Sequence, residues 1–153
     1  MQAESDPGRR LVALGGKDAL PFLQGLVSND VLPLAKVHGI VWAALLTPQG
    51  KYLADFFVVS CAAGLLLDLP EGLADATLRR LSMYKLRADV QLAPSPLQVK
   101  RGLGPAPADA LPDPRHQSLG WRLYDTTPGA PPQIDWDAIR VAQGGRHHVG
   151  PPV

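Results

Sequence analysis

The apolar positions of this chain fall into short runs and two helical stripes, broken at regular intervals by glycine and proline. Arg10 to Leu14 is long enough and apolar enough to predict a strand, which Gly15 and Gly16 end. Leu20, Leu23, Leu26 and Val27 then recur at helical spacing behind Asp18, a candidate N-cap, with Pro21 tolerated in the first turn. That helix is expected to end near Ser28 to Asp30. Ile40 to Leu46 and Tyr52 to Ser60 are apolar runs of strand length joined by Thr47, Pro48, Gln49 and Gly50, which reads as a β-hairpin. On strict alternation Leu53, Asp55, Phe57 and Val59 share one face of the second arm, and Tyr52, Ala54, Phe56 and Val58 the other.

Leu65 to Leu69 predicts a third strand, and Pro70 with Glu71 and Asp75 opens a second helix whose inner stripe reads Leu73, Thr77, Leu81 and Tyr84, with Leu78 alongside. Ala88, Val90 and Leu92 alternate, so Arg87 lies at a helix-to-strand junction. Pro94 to Pro114 reads as a mostly irregular connection, Leu119 to Tyr124 as a returning strand, and Ile134 to Ala142 as helical. Residues 1–9 and 143–153 carry no core face and read as disordered ends around one domain over 10–142. The order of elements predicts an α+β fold of the ferredoxin-like, split βαβ kind, an antiparallel sheet with its helices on one face.

The length, 153 residues, suits about one domain, and Lys+Arg 15 against Asp+Glu 14 gives a net charge of +1, too weak a field to recruit nucleic acid or an anionic membrane. No apolar run approaches the roughly 18 residues of a membrane helix, and the first ten residues hold no signal-peptide core. A single cysteine, Cys61, makes no internal disulfide or CxxC zinc site, which fits a reducing cytoplasm. Gly15, Gly16 and Lys17 fall short of a Walker A loop, because Leu11 and Asp18 stand where Gly and Ser or Thr are needed. His116, His147 and His148 lie in proline-rich parts, and the adjacent pair His147 and His148 lacks metal-ligand spacing and reads as solvated tail. No hydrolase triad signature is present.

Asp55 differs from these, since a carboxylate set in an apolar strand is costly to bury without a partner. It reads as a carboxylate paired with Arg87 or Lys85, as an outward position beside the hairpin turn, or as an acceptor awaiting a ligand's N–H groups. Trp42 and Tyr52 offer aromatic faces for a flat heterocycle, or simply pack.

Several short motifs, taken in order, resemble the folate-binding YgfZ family, relatives of the glycine-cleavage T-protein that include a mitochondrial iron–sulfur assembly factor. Gly16-Lys17-Asp18-Ala19 with Phe22-Leu23-Gln24-Gly25-Leu26-Val27-Ser28-Asn29-Asp30 is similar to G-x-D-A, F-L-Q-G, T-N-D, with Ser28 for the usual Thr. Ala44-Leu45-Leu46-Thr47-Pro48-Gln49-Gly50-Lys51 through Leu53-Ala54-Asp55-Phe56 resembles A-L-L-T-P-Q-G-[RK]-x-L-x-D-F. Tyr84 to Val90 resembles Y-x-L-R-x-x-V, and Asp113-Pro114-Arg115 with Leu119-Gly120-Trp121-Arg122 resembles D-P-R and L-G-x-R.

The resemblance implies a tetrahydrofolate-binding cavity in a protein that supports iron–sulfur cluster assembly or repair without catalysis of its own. In it Asp55 holds the pterin, Trp42 lies beside it, and Arg87 pairs with Asp55 or faces folate's glutamate tail; Tyr52, from its aromatic face, is a further candidate folate contact. The expected partners are folate and iron–sulfur proteins or their assembly machinery. The alternatives are a folate-dependent aminomethyltransferase and an interaction module that has lost the ligand. The chain stops before the family's K-G-C-Y-x-G-Q-E motif and C-terminal barrel, so it reads as a fragment, a degenerate copy, or half of a split or homodimeric protein.

Overall fold

A computed structural model describes residues 3–144, so the expectations for His147, His148 and most of the 143–153 tail lie outside the described residues. The chain forms two compact units, one from the stretch 8–96 and one from the stretches before 8 and after 96. The stretch 10–142, expected as one domain, contributes to both units.

In the first unit five strands pair in the order β3-β4-β5-β2-β6. They are β2 (Arg9–Gly15), β3 (Gly39–Leu46), β4 (Tyr52–Cys61), β5 (Gly64–Pro70) and β6 (Gln91–Pro94), and every pairing is antiparallel. The helices α1 (Ala19–Gln24) and α2 (Glu71–Lys85) cover one face of this sheet. There Val12, Leu14, Phe56, Val58 and Leu67 meet Leu20 and Leu23 of α1 and Ala74 and Leu81 of α2 in one buried cluster. The α+β expectation, with an antiparallel sheet and helices on one face, holds.

Two helix readings change. The buried stripe of α2 is Ala74, Thr77 and Leu81, whereas Leu73 is exposed. The stripe runs back from Leu81 through Thr77 to Ala74, one residue short of the larger Leu73 that pattern alone favours. α1 stops at Gln24, short of Ser28, because the segment after it turns to cover the free edge of β3. Leu46 N–H donates to Leu26 O at 3.2 Å, Ser28 N–H to Ala44 O at 2.9 Å, and Ala44 N–H to Ser28 Oγ at 3.0 Å. Asn29 Nδ2 donates to Trp42 O, and Gln24 Oε1 accepts from Val31 N–H at 2.8 Å. The F-L-Q-G, S-N-D residues thus satisfy an otherwise open sheet edge.

Asp18 does not cap α1 with its side chain. Its carboxylate accepts Asp89 N–H at 2.8 Å, while Asp89 O and Oδ2 accept the N–H groups of Asp18 and Lys17, each at 3.1 Å. Gly16 has φ +101°, and a Cβ there would stand 2.0 Å from Asp89 O, so this clasp requires glycine.

The second unit is a sheet in the order β1-β7-β9-β8, from β1 (Glu4–Ser5), β7 (Gln98–Gly102), β8 (Leu111–Pro112) and β9 (Trp121–Asp125), with α3 (Trp136–Gly144) following. Two expectations are corrected here. Residues 4–5 form a strand instead of a frayed end, because Ser5 N–H and Ala130 N–H bond to Ala130 O and Ala3 O at 2.9 Å each. Buried Glu4 also accepts from the backbone N–H of Gln133 and Ile134. The stretch Pro94–Pro114 supplies β7, whose pairing with β9 from Gln98↔Asp125 to Gly102↔Trp121 is long-range and leaves no local period in the sequence.

Candidate functional site

The face of the five-stranded sheet that points away from α1 and α2 carries the candidate chemistry. Directly opposed residues of an antiparallel pair share a face. The register Trp42↔Phe57, Phe57↔Asp68 and Leu11↔Asp68 therefore sets Trp42, Phe57, Asp68 and Leu11 in one row across β3, β4, β5 and β2. Ala44↔Asp55 forms the next row. Trp42 and Asp55 are thus a diagonal pair, a spacing of about 7 Å in such a ladder.

Tyr52 joins this face through a register shift. Leu45 pairs with Ala54 but Leu46 pairs with Tyr52, so Leu53 is the extra residue of a β-bulge. Leu53 turns inward to pack on the buried cluster. Tyr52, expected on the face opposite Asp55, is brought back to it and donates from its hydroxyl to Asp55 Oδ2 at 2.8 Å. The phenol is pushed up to about 12, first by burial and then by the hydrogen bond and charge of Asp55. Asp55 and Trp42 are half-buried, and Tyr52 is 43% exposed. Among the described residues no hydrogen bond reaches Asp55 Oδ1.

Arg87 does not belong to this constellation. It is exposed and follows α2 into β6, at the sheet edge opposite β3, with β2 and β5 between β6 and β4. The expected pairing of Asp55 with Arg87 or Lys85 is absent among the described residues, and Lys85 Nζ donates instead to Val90 O at 3.1 Å. The reason is topological: α2 carries the chain across the sheet before Arg87 is reached.

Asp68 is the residue that sequence reasoning missed. Its side chain is 0% exposed, Arg9 Nε donates to its Oδ1 at 2.7 Å, and an Arg9 Nη2 bond to Asp68 O at 2.8 Å completes a fork. The same guanidinium lies over Phe57, 5.5 Å from the ring centroid. The signal was present, since Asp68 interrupts the Leu65–Leu69 run as Asp55 interrupts its own. Cys61 ends β4 half-buried, its Sγ 3.7 Å from Gly64 O. His116 Nδ1 accepts Ser118 N–H at 3.0 Å in a local turn. Among the described residues no group of His, Cys, Asp and Glu side chains is placed to hold a metal ion, and no helix is long and apolar enough to cross a membrane.

No protein-family model matches the sequence. The mitochondrial iron–sulfur cluster assembly factor IBA57 homolog of Pyricularia oryzae is 31% identical, over 84% of this chain and 37% of that protein. Mitochondrial IBA57 is 31% identical in Homo sapiens and 33% in Mus musculus, each over 80% of this chain and 42% of the relative. The chain spans about two-fifths of the length of these curated relatives. Among solved structures, the glycine cleavage system aminomethyltransferase T of Bartonella henselae superposes with a TM-score of 0.55 at 20% identity, over 65% of this chain and 28% of that one. The chain thus shares the fold of aminomethyltransferase T and is similar in sequence to the IBA57 iron–sulfur cluster assembly factors.

Proposed function

We propose that this chain holds tetrahydrofolate on the Trp42, Tyr52 and Asp55 face and serves iron–sulfur cluster assembly without group transfer of its own. The observation that carries the reading is the half-closed carboxylate. Asp55 Oδ2 is taken by Tyr52 and Oδ1 has no partner among the described residues, beside a half-buried indole on the same face. A pterin presents a row of N–H donors on a flat ring, which matches a carboxylate acceptor and an aromatic surface.

Bound tetrahydrofolate would supply a one-carbon carrier. Asp55 would accept its N–H groups, Tyr52 would fix the carboxylate's rotamer, and Trp42 would shield one ring face from water. The names of the relatives favour assembly over transfer, and they are mitochondrial, where the sequence alone reads as cytoplasmic.

Tetrahydrofolate titration with indole fluorescence tests the ligand. Saturable quenching that is lost in Trp42→Leu and in Asp55→Ala supports the site, and its absence from the parent chain overturns it. A lipoyl-bound aminomethyl donor added to the loaded protein separates the roles. Turnover would move the chain to the transferases, and none is expected. In cells depleted of their own assembly factor, the chain is expected to restore iron–sulfur enzyme activity and Asp55→Ala to fail.

A further inference from the structure

We propose that Arg101 is the donor of an oxyanion-binding site on the four-stranded unit, independent of the Asp55 face. Arg101, Arg115 and Arg122 gather there with Asp6 and Asp113, close enough for all four neighbours to act electrostatically on Arg101. Arg101 and Arg122 stand directly opposite on β7 and β9, so two like charges share a face.

The carboxylates are already closed by the other two guanidinium groups. Arg122 Nη2 donates to Asp6 Oδ2 at 3.0 Å. Arg115 grips Asp113 with both arms, Nε to Oδ1 at 3.0 Å and Nη2 to Oδ2 at 2.7 Å. Arg101 Nη1 stands 3.8 Å from Asp6 Oδ2, beyond hydrogen-bond length, and its buried Nε has no acceptor among the described residues. It is the surplus cation of the cluster.

That cation is also held still. Its side chain is only 11% exposed, and Cζ lies 3.7 Å from the centroid of a Trp136 ring. Trp136 is fixed in turn by its Nε1–H, which donates to Glu4 Oε1 at 3.3 Å. Stacking occupies the flat face of a guanidinium and leaves the donors at its edge unused. Burial, the largest influence, brings the Arg101 pKa down to about 10, so the group stays charged at neutral pH. A buried cation whose Nε has no acceptor among the described residues, and whose one ion-pair contact is at 3.8 Å, is a cost to the fold that an incoming carboxylate or phosphate would relieve, and both present paired oxygens to the fork.

The test uses the purified, folate-free chain, titrated with inorganic phosphate and with glutarate at constant ionic strength against chloride. Either anion is expected to raise the melting midpoint, growing with the logarithm of its concentration, and to change indole emission saturably. The stronger response, to phosphate or to glutarate, tells a phosphoryl from a carboxylate ligand. Arg101→Met is expected to lose both responses and to melt at or above the parent without anion, because it removes a buried charge and keeps apolar volume. Arg101→Lys, charged but without the fork, is expected to respond more weakly than the parent. A chloride effect equal to that of the two anions, or an Arg101→Met protein that still responds, overturns the site. A melting point for Arg101→Met well below the parent's does the same, by making Arg101 a structural cation.

Discussion

Tyr52 donates to Asp55 across 2.8 Å although residues three apart on a regular strand point to opposite faces. The bond exists because the bulge at Leu53 rotates the start of β4. One extra residue therefore sends Leu53 into the core and assembles an aromatic and a carboxylate on the open face.

The phenol of Tyr52 reports that contact. Its folded pKa, about 12, lies above its unfolded value near 10, so the protonated form is favoured by folding. The stability it contributes is fully present below pH 10 and is lost as pH rises through 12. A tyrosinate absorbance titration is expected to show one late phenol in the parent. In Asp55→Asn that phenol should ionise earlier yet remain above 10, because burial is the larger cause. A titration unchanged by the substitution would mean that the contact does not exist in solution.

Asp68 is expected to matter for folding and not directly for ligand binding. Its carboxylate is fully buried against Arg9, and removing one partner of such a pair leaves an uncompensated charge, at a cost of about 3 kcal/mol. Urea unfolding of Asp68→Ala checks this. A change under about 0.5 kcal/mol, the size of an ordinary surface substitution, would show that the pair contributes little.

Ser28 tests the edge-covering role of its motif. Ser28→Ala leaves the Ala44 N–H without its 3.0 Å acceptor and is expected to cost about 1 kcal/mol. Ser28→Thr keeps the hydroxyl and is expected to melt with the parent. Hydrogen exchange at Ala44 should accelerate in the alanine variant alone.

Gly16→Ala is expected to cost more than Ser28→Ala. The left-handed backbone costs a side chain about 1–2 kcal/mol, and the new Cβ would also meet Asp89 O. Melting, with Asp18→Asn as a milder break in the same clasp, measures it.

Local pattern made the five-stranded unit legible. The hairpin arms Ile40–Leu46 and Tyr52–Ser60 are continuous apolar runs with a turn between them, and they appear as β3 and β4. Features set by distant pairing were not legible. β1 and β7 consist largely of polar residues whose order comes from partners such as Ala130 and β9. At the candidate site Trp42 and Asp55 were identifiable, because an aromatic and a carboxylate stand out in apolar strands. The position of Tyr52 was not, because alternation cannot anticipate a bulge. The distance of Arg87 from Asp55 was not legible for a related reason, since a junction residue's neighbours depend on strand order, which sequence spacing does not encode.

Thermal melting with and without saturating tetrahydrofolate, on the parent and on Asp55→Ala, decides whether folate sits at Asp55, because a ligand that binds only the native state must raise the midpoint. The midpoint is expected to rise in the parent and not in Asp55→Ala, which should otherwise melt near the ligand-free parent. An equal rise in both proteins, or no rise in either, would contradict it.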